Sequence, residues 1–132
     1  MLLMKRKFWF FVWLSFGLLL LSCHNGQKDT PEAATEAFAK AFYTADFTHQ
    51  YQYSGKKSHV IIKNAQNGMK SNPAHLEEMK NNKVEFVSTS VDDLTDSTAT
   101  CTCKVILNDQ PRQDTWNLIK EEDKWKVTLV MP

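Results

Sequence analysis

Apolar residues in the first half of the chain recur with the 3.6-residue period of an α-helix. Thr30 is a good N-cap and Pro31 suits the first helical position, so a helix is predicted from Pro31. Its predicted inward stripe is Ala34, Ala37, Phe38, Ala41, Phe42 and Ala45. Further helices are predicted after the cap Asp46 (with Phe47 and Tyr51), over 57–69 (burying Ile61, Ala65 and Met69) and after Asn72-Pro73 (with Leu76 and Met79 inward).

After Asn82 the period of the apolar positions changes from about 3.6 to 2, which is typical of strands. Four strands are predicted, over 84–91, 98–107, 113–119 and 125–131. Short polar turns separate them, so neighbouring strands should pair antiparallel as a meander. Residues 30–132 are therefore predicted to form a single α+β domain, with N-terminal helices packed on one face of a curved antiparallel sheet.

The longest apolar run lies before this domain, over residues 8–21, with only Ser15 and Gly17 interrupting it. Lys5, Arg6 and Lys7 precede the run and make a positive segment. A helix that spans a bilayer needs about 20 apolar residues. These fourteen are too few for that and are typical of the apolar core of a signal peptide.

The run ends in Leu20-Leu21-Ser22-Cys23, which resembles the bacterial lipobox. The resemblance implies cleavage between Ser22 and Cys23 and a diacylglycerol on the Cys23 sulfur. Residues 1–22 are then a lipoprotein signal peptide and residues 23–29 a lipidated tether. Each CH₂ of an acyl chain contributes about 0.8 kcal/mol to membrane anchoring, so two or three chains hold a protein firmly. An uncleaved anchor, or an ordinary secretory signal with a free Cys23, are the alternatives.

The lipobox resemblance also predicts a location in the bacterial cell envelope, with the lipid on Cys23 as the contact to the membrane. His24, rather than Asp, follows the cysteine, and by resemblance to enterobacterial sorting this favours the outer membrane. Loss of residues 1–22 reduces the basic residues from 16 to 13 against 15 acidic ones, a net charge of −2. No basic patch is predicted, so no nucleic-acid partner is expected.

Cys101 and Cys103 lie two residues apart in a predicted strand, so both side chains point to one face. Their Cα atoms would be roughly 6.5–7 Å apart in an extended strand, at or beyond the limit for a disulfide. We expect two buried free thiols that pack as small apolar groups. A redox pair or a metal site is the alternative.

Candidate chemistry is confined to one cluster, Asp46, His49 and Tyr51 with Tyr43 and Tyr53, which could supply an isomerase-like or dehydratase-like acid–base site. Simpler roles suffice for these residues, with Asp46 as a helix cap, Tyr51 as packing and His49 at the surface. The histidines are dispersed, so no metal site and no cofactor are predicted. Trp116 and Trp125 are predicted to stack across a hairpin in the core, unless one is exposed to a partner.

The order of elements is similar to the cystatin-like cone fold of the nuclear transport factor 2-like superfamily, and to the short bacterial lipoproteins of unknown function within it. The matching residues are Thr30-Pro31-Glu32, Phe38, Phe42, Thr44-Ala45-Asp46-Phe47, Thr98-Ala99-Thr100 and Glu122-Asp123-Lys124-Trp125-Lys126-Val127. Lys124 stands where such domains usually have Gly. The resemblance implies a conical pocket, with candidate lining residues Phe38, Phe42, Asp46, His49, Tyr51, Trp116 and Trp125.

Fold alone does not decide function, because this superfamily includes enzymes, ligand binders and protein-binding domains. The sequence favours a non-catalytic envelope lipoprotein that binds a partner protein or stabilises an envelope assembly. A carrier or sensor for a small apolar ligand in the cone is the second hypothesis. An isomerase-like or dehydratase-like enzyme is the third, and it requires His49 and Tyr51 to point into one cavity.

Overall fold

The computed structural model describes residues 29–130. The predicted signal peptide, the Ser22–Cys23 cleavage point, the lipidated Cys23 and the predicted inward Met131 lie outside this range. The helices are α1 (Pro31–Tyr43), α2 (Phe47–Tyr53), α3 (His59–Lys70) and α4 (Pro73–Lys80), with a short 3₁₀ turn at Lys56–Ser58. The strands are β1 (Val84–Asp92), β2 (Thr98–Leu107), β3 (Gln110–Glu121) and β4 (Lys124–Thr128).

The four strands form one antiparallel sheet in the order β1-β2-β3-β4, which confirms the predicted meander and the α+β fold class. Residues opposite one another in an antiparallel pair share a face. Cys101 therefore faces the same way as its partner Trp116, and Ala99 the same way as Leu118. All four side chains are buried beneath the helices, as the alternating pattern of β2 predicted.

The helix α1 is the element that covers the inner face of the sheet, and it contacts all four strands. The Thr30 hydroxyl oxygen accepts a hydrogen bond from the Ala33 amide at 3.1 Å, so the predicted N-cap is confirmed. Phe38 and Ala39 are completely buried. The predicted stripe of α1 is partly wrong, because Thr35 is fully buried and the Phe42 side chain is 39% exposed.

This difference has a packing cause, since α2 lies against one flank of α1 while the sheet covers its underside. The buried side of α1 is consequently rotated about the helix axis relative to the side that its apolar residues predict. Thr35 tolerates burial because its hydroxyl donates to the Pro31 carbonyl at 2.7 Å. Ala45 is buried, but it lies beyond the helix in the left-handed region, with φ of 51°.

The predicted inward face of α3 is also wrong. Ile62 is buried, whereas Ile61 is 43% exposed and Ala65 is exposed. The principal contacts of α3 are with α2, α4 and the 3₁₀ turn rather than with the sheet. Its buried side is therefore set by the neighbouring helices, and part of its apolar stripe faces outward.

Both tight hairpin turns contain two residues with positive φ. These are Asn108 and Asp109 (50° and 65°) between β2 and β3, and Glu122 and Asp123 (53° and 63°) between β3 and β4. Two consecutive positive φ values match the twist of a two-residue β-hairpin. Lys124 is the first residue of β4, so it needs no glycine-like conformation. The predicted turn over 108–111 is shorter than expected, because Pro111 pairs with Ile106 within the sheet.

The two edge strands of the sheet, β4 and β1, have different surroundings. Along β4, Ser54 forms a parallel bridge with Val127, and the Gly55 amide donates to the Val127 carbonyl at 2.9 Å. A Cβ at Gly55 would lie 3.0 Å from a Glu121 carboxylate oxygen, so this close approach favours glycine. Along β1 the register shifts at Val87, whose side chain is 61% exposed, and such a bulge interrupts a regular edge.

Replacement of Phe38 by Ala should lower the free energy of unfolding by about 3–5 kcal/mol, because it leaves a cavity between α1 and the sheet. The matched control is Phe42→Ala, which removes the same ring from a partly exposed site and should cost about 1–2 kcal/mol. Urea unfolding followed by circular dichroism measures both. Equal costs for the two variants would contradict the assigned packing.

Candidate functional site

An aromatic cluster occupies the space between α1 and the sheet. The Phe38 and Phe42 rings each lie 5.3 Å from the Trp116 ring, edge to face. Phe38 is completely buried and Trp116 nearly so. The rings thus fill the region in which the resemblance placed the base of a conical pocket.

The two candidate tryptophans are both buried, but they do not stack on each other. The register of β3 and β4 places Trp125 opposite Lys120, four residues beyond Trp116. The Lys120 ammonium lies 5.5 Å from the Trp125 ring centre. The predicted contact between the two indoles is therefore wrong, because the tight turn at Glu122-Asp123 fixes a different pair.

A polar network lies beside the aromatic cluster, on the same face of β3. The Tyr43 hydroxyl donates to the Asp114 carboxylate, and Arg112 Nε donates to the same carboxylate oxygen at 2.7 Å. The Arg112 guanidinium also lies 5.3 Å from the Tyr43 ring centre. Sequence reasoning missed this network, because the predicted strand 113–119 contained Asp114 but not Arg112, and periodicity does not predict the contact between Asp114 and the distant Tyr43. Extending the alternation of β3 backwards from Trp116 would have placed Asp114 and Arg112 on the inner face.

The network shifts the pKa values of Tyr43 and Asp114. Burial, followed by the hydrogen bond to Asp114, raises the pKa of Tyr43 above its ordinary value. Burial acts to raise the pKa of Asp114 as well, but the hydrogen bonds from Arg112 and Tyr43 outweigh it and lower that pKa. At neutral pH Tyr43 is therefore a neutral donor and Asp114 an ionised acceptor, an arrangement suited to fixing the end of α1.

The structure brings part of the candidate acid–base cluster together, because Asp46 pairs with His49 and the Tyr53 ring stacks on His49 with ring centres 6.4 Å apart. Tyr51 does not join this group. Asp46 caps α2 by accepting from the His49 amide at 3.2 Å, and its other carboxylate oxygen lies 2.5 Å from His49 Nδ1. Both side chains of this pair are about half exposed. Tyr51 instead donates to Gln66 Oε1 at 3.1 Å, on the side of α3. His49 and Tyr51 consequently have different surroundings.

Cys101 and Cys103 are both fully buried free thiols, as predicted. Burial raises the pKa of each thiol, although hydrogen bonds with Thr35 and Thr89 respectively oppose the shift. Both therefore remain protonated near neutral pH. Reactive cysteines are accessible thiolates, so these two resemble structural cysteines.

Two open clefts lie on the surface of the described domain. One, of about 510 Å³, is lined by Asp46, Phe47, Gln66, Lys70 and Leu76, among others, and lies where the α1–α2 bend meets α3 and α4. The other, of about 540 Å³, lies beside α1 and β4, and Trp125 contributes to its wall. Asp46 and Trp125 thus belong to different clefts, while Phe38, Phe42 and Trp116 form the cluster under α1.

Residues 29–130 contain no group of three or more His, Cys, Asp or Glu side chains arranged to hold a metal ion. Within that same range, none of the helices is both long enough and apolar enough to span a membrane.

Comparison with solved structures identifies the fold. A crystal structure of a candidate NTF2-like transpeptidase from Campylobacter jejuni, at 2.00 Å resolution, superimposes on this chain with a TM-score of 0.52. The domain has an NTF2-like fold. The match covers 76% of this chain and 99% of the other, with 18% sequence identity, so it concerns the fold alone. No family model matches the sequence, and no curated protein matches it.

Replacement of Asp114 by Asn should destabilise the domain by about 1–2 kcal/mol at pH 7, because the carboxylate accepts two hydrogen bonds. The pKa of Asp114 is lower in the folded state, so its contribution is present above about pH 4 and is lost as the pH falls below that value. Urea unfolding at pH 7 and at pH 3 should give a difference between wild type and variant that shrinks in acid. A difference independent of pH would contradict this role.

Proposed function

We propose that this chain is a lipid-anchored bacterial envelope protein whose NTF2-like domain binds a partner protein or stabilises an envelope assembly without catalysing a reaction. The anchor rests on the lipobox-like sequence that ends at Cys23. The main structural support for the binding role is the packing of Phe38 against Trp116, which fills the space between α1 and the sheet. A partner protein would then bind the outer surfaces of the domain.

The C. jejuni structure carries a description as a candidate transpeptidase, so an acyl-transfer activity is a competing proposal. Such a reaction by a protein nucleophile needs an accessible Ser, Thr or Cys beside a general base. Cys101 and Cys103 are fully buried, and the pKa of each is raised. The Asp46–His49 pair, the nearest approach to an oriented base, is at the surface, whereas both thiols are fully buried. These positions favour the non-catalytic proposal.

The second candidate function is a carrier or sensor for a small apolar ligand. Its support is the size of the two clefts, about 510 and 540 Å³, which falls within the range of ligand sites. In this version the ligand occupies a surface cleft rather than the centre of the cone. Native mass spectrometry of the protein released from membranes with a nonionic detergent distinguishes the two functions, since a carrier would retain a small-molecule adduct.

Intact-mass measurement of the protein purified from its native membrane tests the anchor. We expect a chain that begins at Cys23 and carries additional acyl mass. The variant Cys23→Ala should lack that mass, whereas the control Cys101→Ala should retain it. An intact Met1, or an unmodified thiol at Cys23, would refute the proposed anchor.

Cross-linking in intact membranes tests the partner. Amine-reactive reagents should give a reproducible adduct larger than the monomer, because exposed lysines are distributed over the domain. The adduct should survive in the control variant Cys101→Ala. It should disappear when the protein is extracted and diluted before the reagent is added. Only monomer, under conditions that capture known envelope complexes, would count against the binding role.

A further inference from the structure

The cleft beside α1 and β4 lies where the chain enters the domain, and we call it the tether cleft. Asp29, the first described residue, lines it and fixes the entry point by accepting a hydrogen bond from the Trp125 amide at 3.1 Å. The side chains used in the following argument are Asp29, Lys40, Tyr53, Lys124, Trp125 and Lys126. The tether cleft and the point of attachment are thus parts of one surface.

The length of the tether limits how far this surface can lie from a bilayer. Five residues lie between Cys23 and Asp29, which makes six Cα–Cα steps, and an extended chain spans at most about 3.6 Å per step. A lipid on Cys23 therefore keeps Asp29 within roughly 22 Å of the membrane surface. The C-terminal end of α1, at Tyr43, is fourteen residues further along the chain than Asp29.

The tether cleft carries the side chains that favour a membrane interface. Lys40, Lys124 and Lys126 supply three ammonium groups. Among residues 29–130, neither Lys40 nor Lys124 forms an ion pair, and Lys126 Nζ donates to the Gln52 carbonyl at 2.5 Å. Tyr53, which is half-buried, and Trp125, which is 8% exposed, are also in the wall. An accessible amphipathic ring such as that of Tyr53 suits the boundary between lipid and water.

Two carboxylates share the tether cleft with these lysines, and both already accept hydrogen bonds. Asp29 is bonded to the Trp125 amide, and Glu36 accepts from the Thr89 hydroxyl at 2.8 Å. The ionisable side chains of the cleft thus carry a net charge of +1. The neighbouring turn of Glu122 and Asp123 is acidic, with Lys56 paired to Glu122 at 3.2 Å. The excess of positive over negative side chains is therefore confined to the lining of the cleft, and Glu121 lies opposite Lys124 in the β3–β4 pair.

We propose that the tether cleft binds the phosphate of a membrane phospholipid headgroup and so holds the domain in one orientation on its leaflet. Lys40 and Lys124 donate to the phosphate oxygens, and the half-buried Tyr53 contacts the glycerol region. Trp125, which is only 8% exposed, lies in the wall of the cleft and reports on the distance to the lipid. This deepens the proposed lipid anchor and rests on it. A single anchoring point leaves a domain free to rotate, whereas a second contact beside it fixes the orientation.

Quenching of Trp125 fluorescence by a nitroxide on the lipid headgroup tests the orientation. In the variant Trp116→Phe, Trp125 is the one tryptophan of residues 23–132, because Trp9 and Trp13 belong to the predicted signal peptide. The lipidated protein is reconstituted into phosphatidylcholine vesicles with and without headgroup-nitroxide phosphatidylcholine. We expect strong quenching, and we expect each of Lys40→Gln and Lys124→Gln to lower the ratio of docked to undocked protein about fivefold.

The matched controls are Lys83→Gln and Lys104→Gln, which remove the same charge from exposed sites outside the tether cleft and should leave quenching unchanged. Equal loss in control and cleft variants would overturn the proposal. Release of quenching by inorganic phosphate at constant ionic strength would also overturn it, since the ligand would then be free phosphate. Amide hydrogen exchange of unsubstituted protein, in vesicles against nonionic detergent, should show protection of β4, independently of the Trp116→Phe change.

The intact mass of each sample separates the two proposals. If the acyl mass is present but neither quenching nor protection of β4 occurs, the tether cleft is not a headgroup site and the anchor stands. If the acyl mass is absent, the proposed anchor fails, and the orientation inferred from it fails too.

Discussion

The contact between Phe38 of α1 and Trp116 of β3 joins the two layers of this domain. A helix and a sheet become stable together only when each covers the apolar face of the other. Phe38 is the largest completely buried side chain, and it lies over the inner face formed by β2 and β3. The positions of the other elements follow from this contact, because α1 crosses all four strands and α2 packs against its flank.

Polar contacts fix both ends of α1 once its centre is packed. At its N-terminal end, Asp29 binds the start of β4 through the Trp125 amide. At its C-terminal end, the Tyr43 hydroxyl binds Asp114, and the Tyr43 carbonyl accepts from Asn82 Nδ2 at 2.8 Å. These contacts therefore fix where the two ends of α1 lie on the sheet, in addition to the packing of its centre against the sheet. The interior between α1 and the sheet is filled, and the two clefts described above are open to the surface.

The proposed lipid on Cys23 would give this arrangement a direction relative to a membrane. If the chain carries lipid at Cys23, the end of the domain that holds Asp29 and Trp125 is the proximal one. Phe42, a residue that is 39% exposed, and the Arg112 guanidinium lie outside the tether cleft. Exposed aromatic and arginine side chains are frequent at protein interfaces, so this second surface is the one that the proposed binding role would use.

The sequence by itself determined the order of elements, the α+β class, the start of α1 at Pro31, the cap at Asp46 and the buried face of β2. These features depend on local periodicity and capping, which neighbouring residues control. Only the tertiary structure decided which flank of α1 and α3 is buried, that Trp125 faces Lys120, and that Tyr43 meets Asp114 across 71 residues of sequence. The reason is that an apolar stripe defines the inward side of a helix only to within the width of the stripe. Strand register and long-range hydrogen bonds depend instead on how separate elements meet.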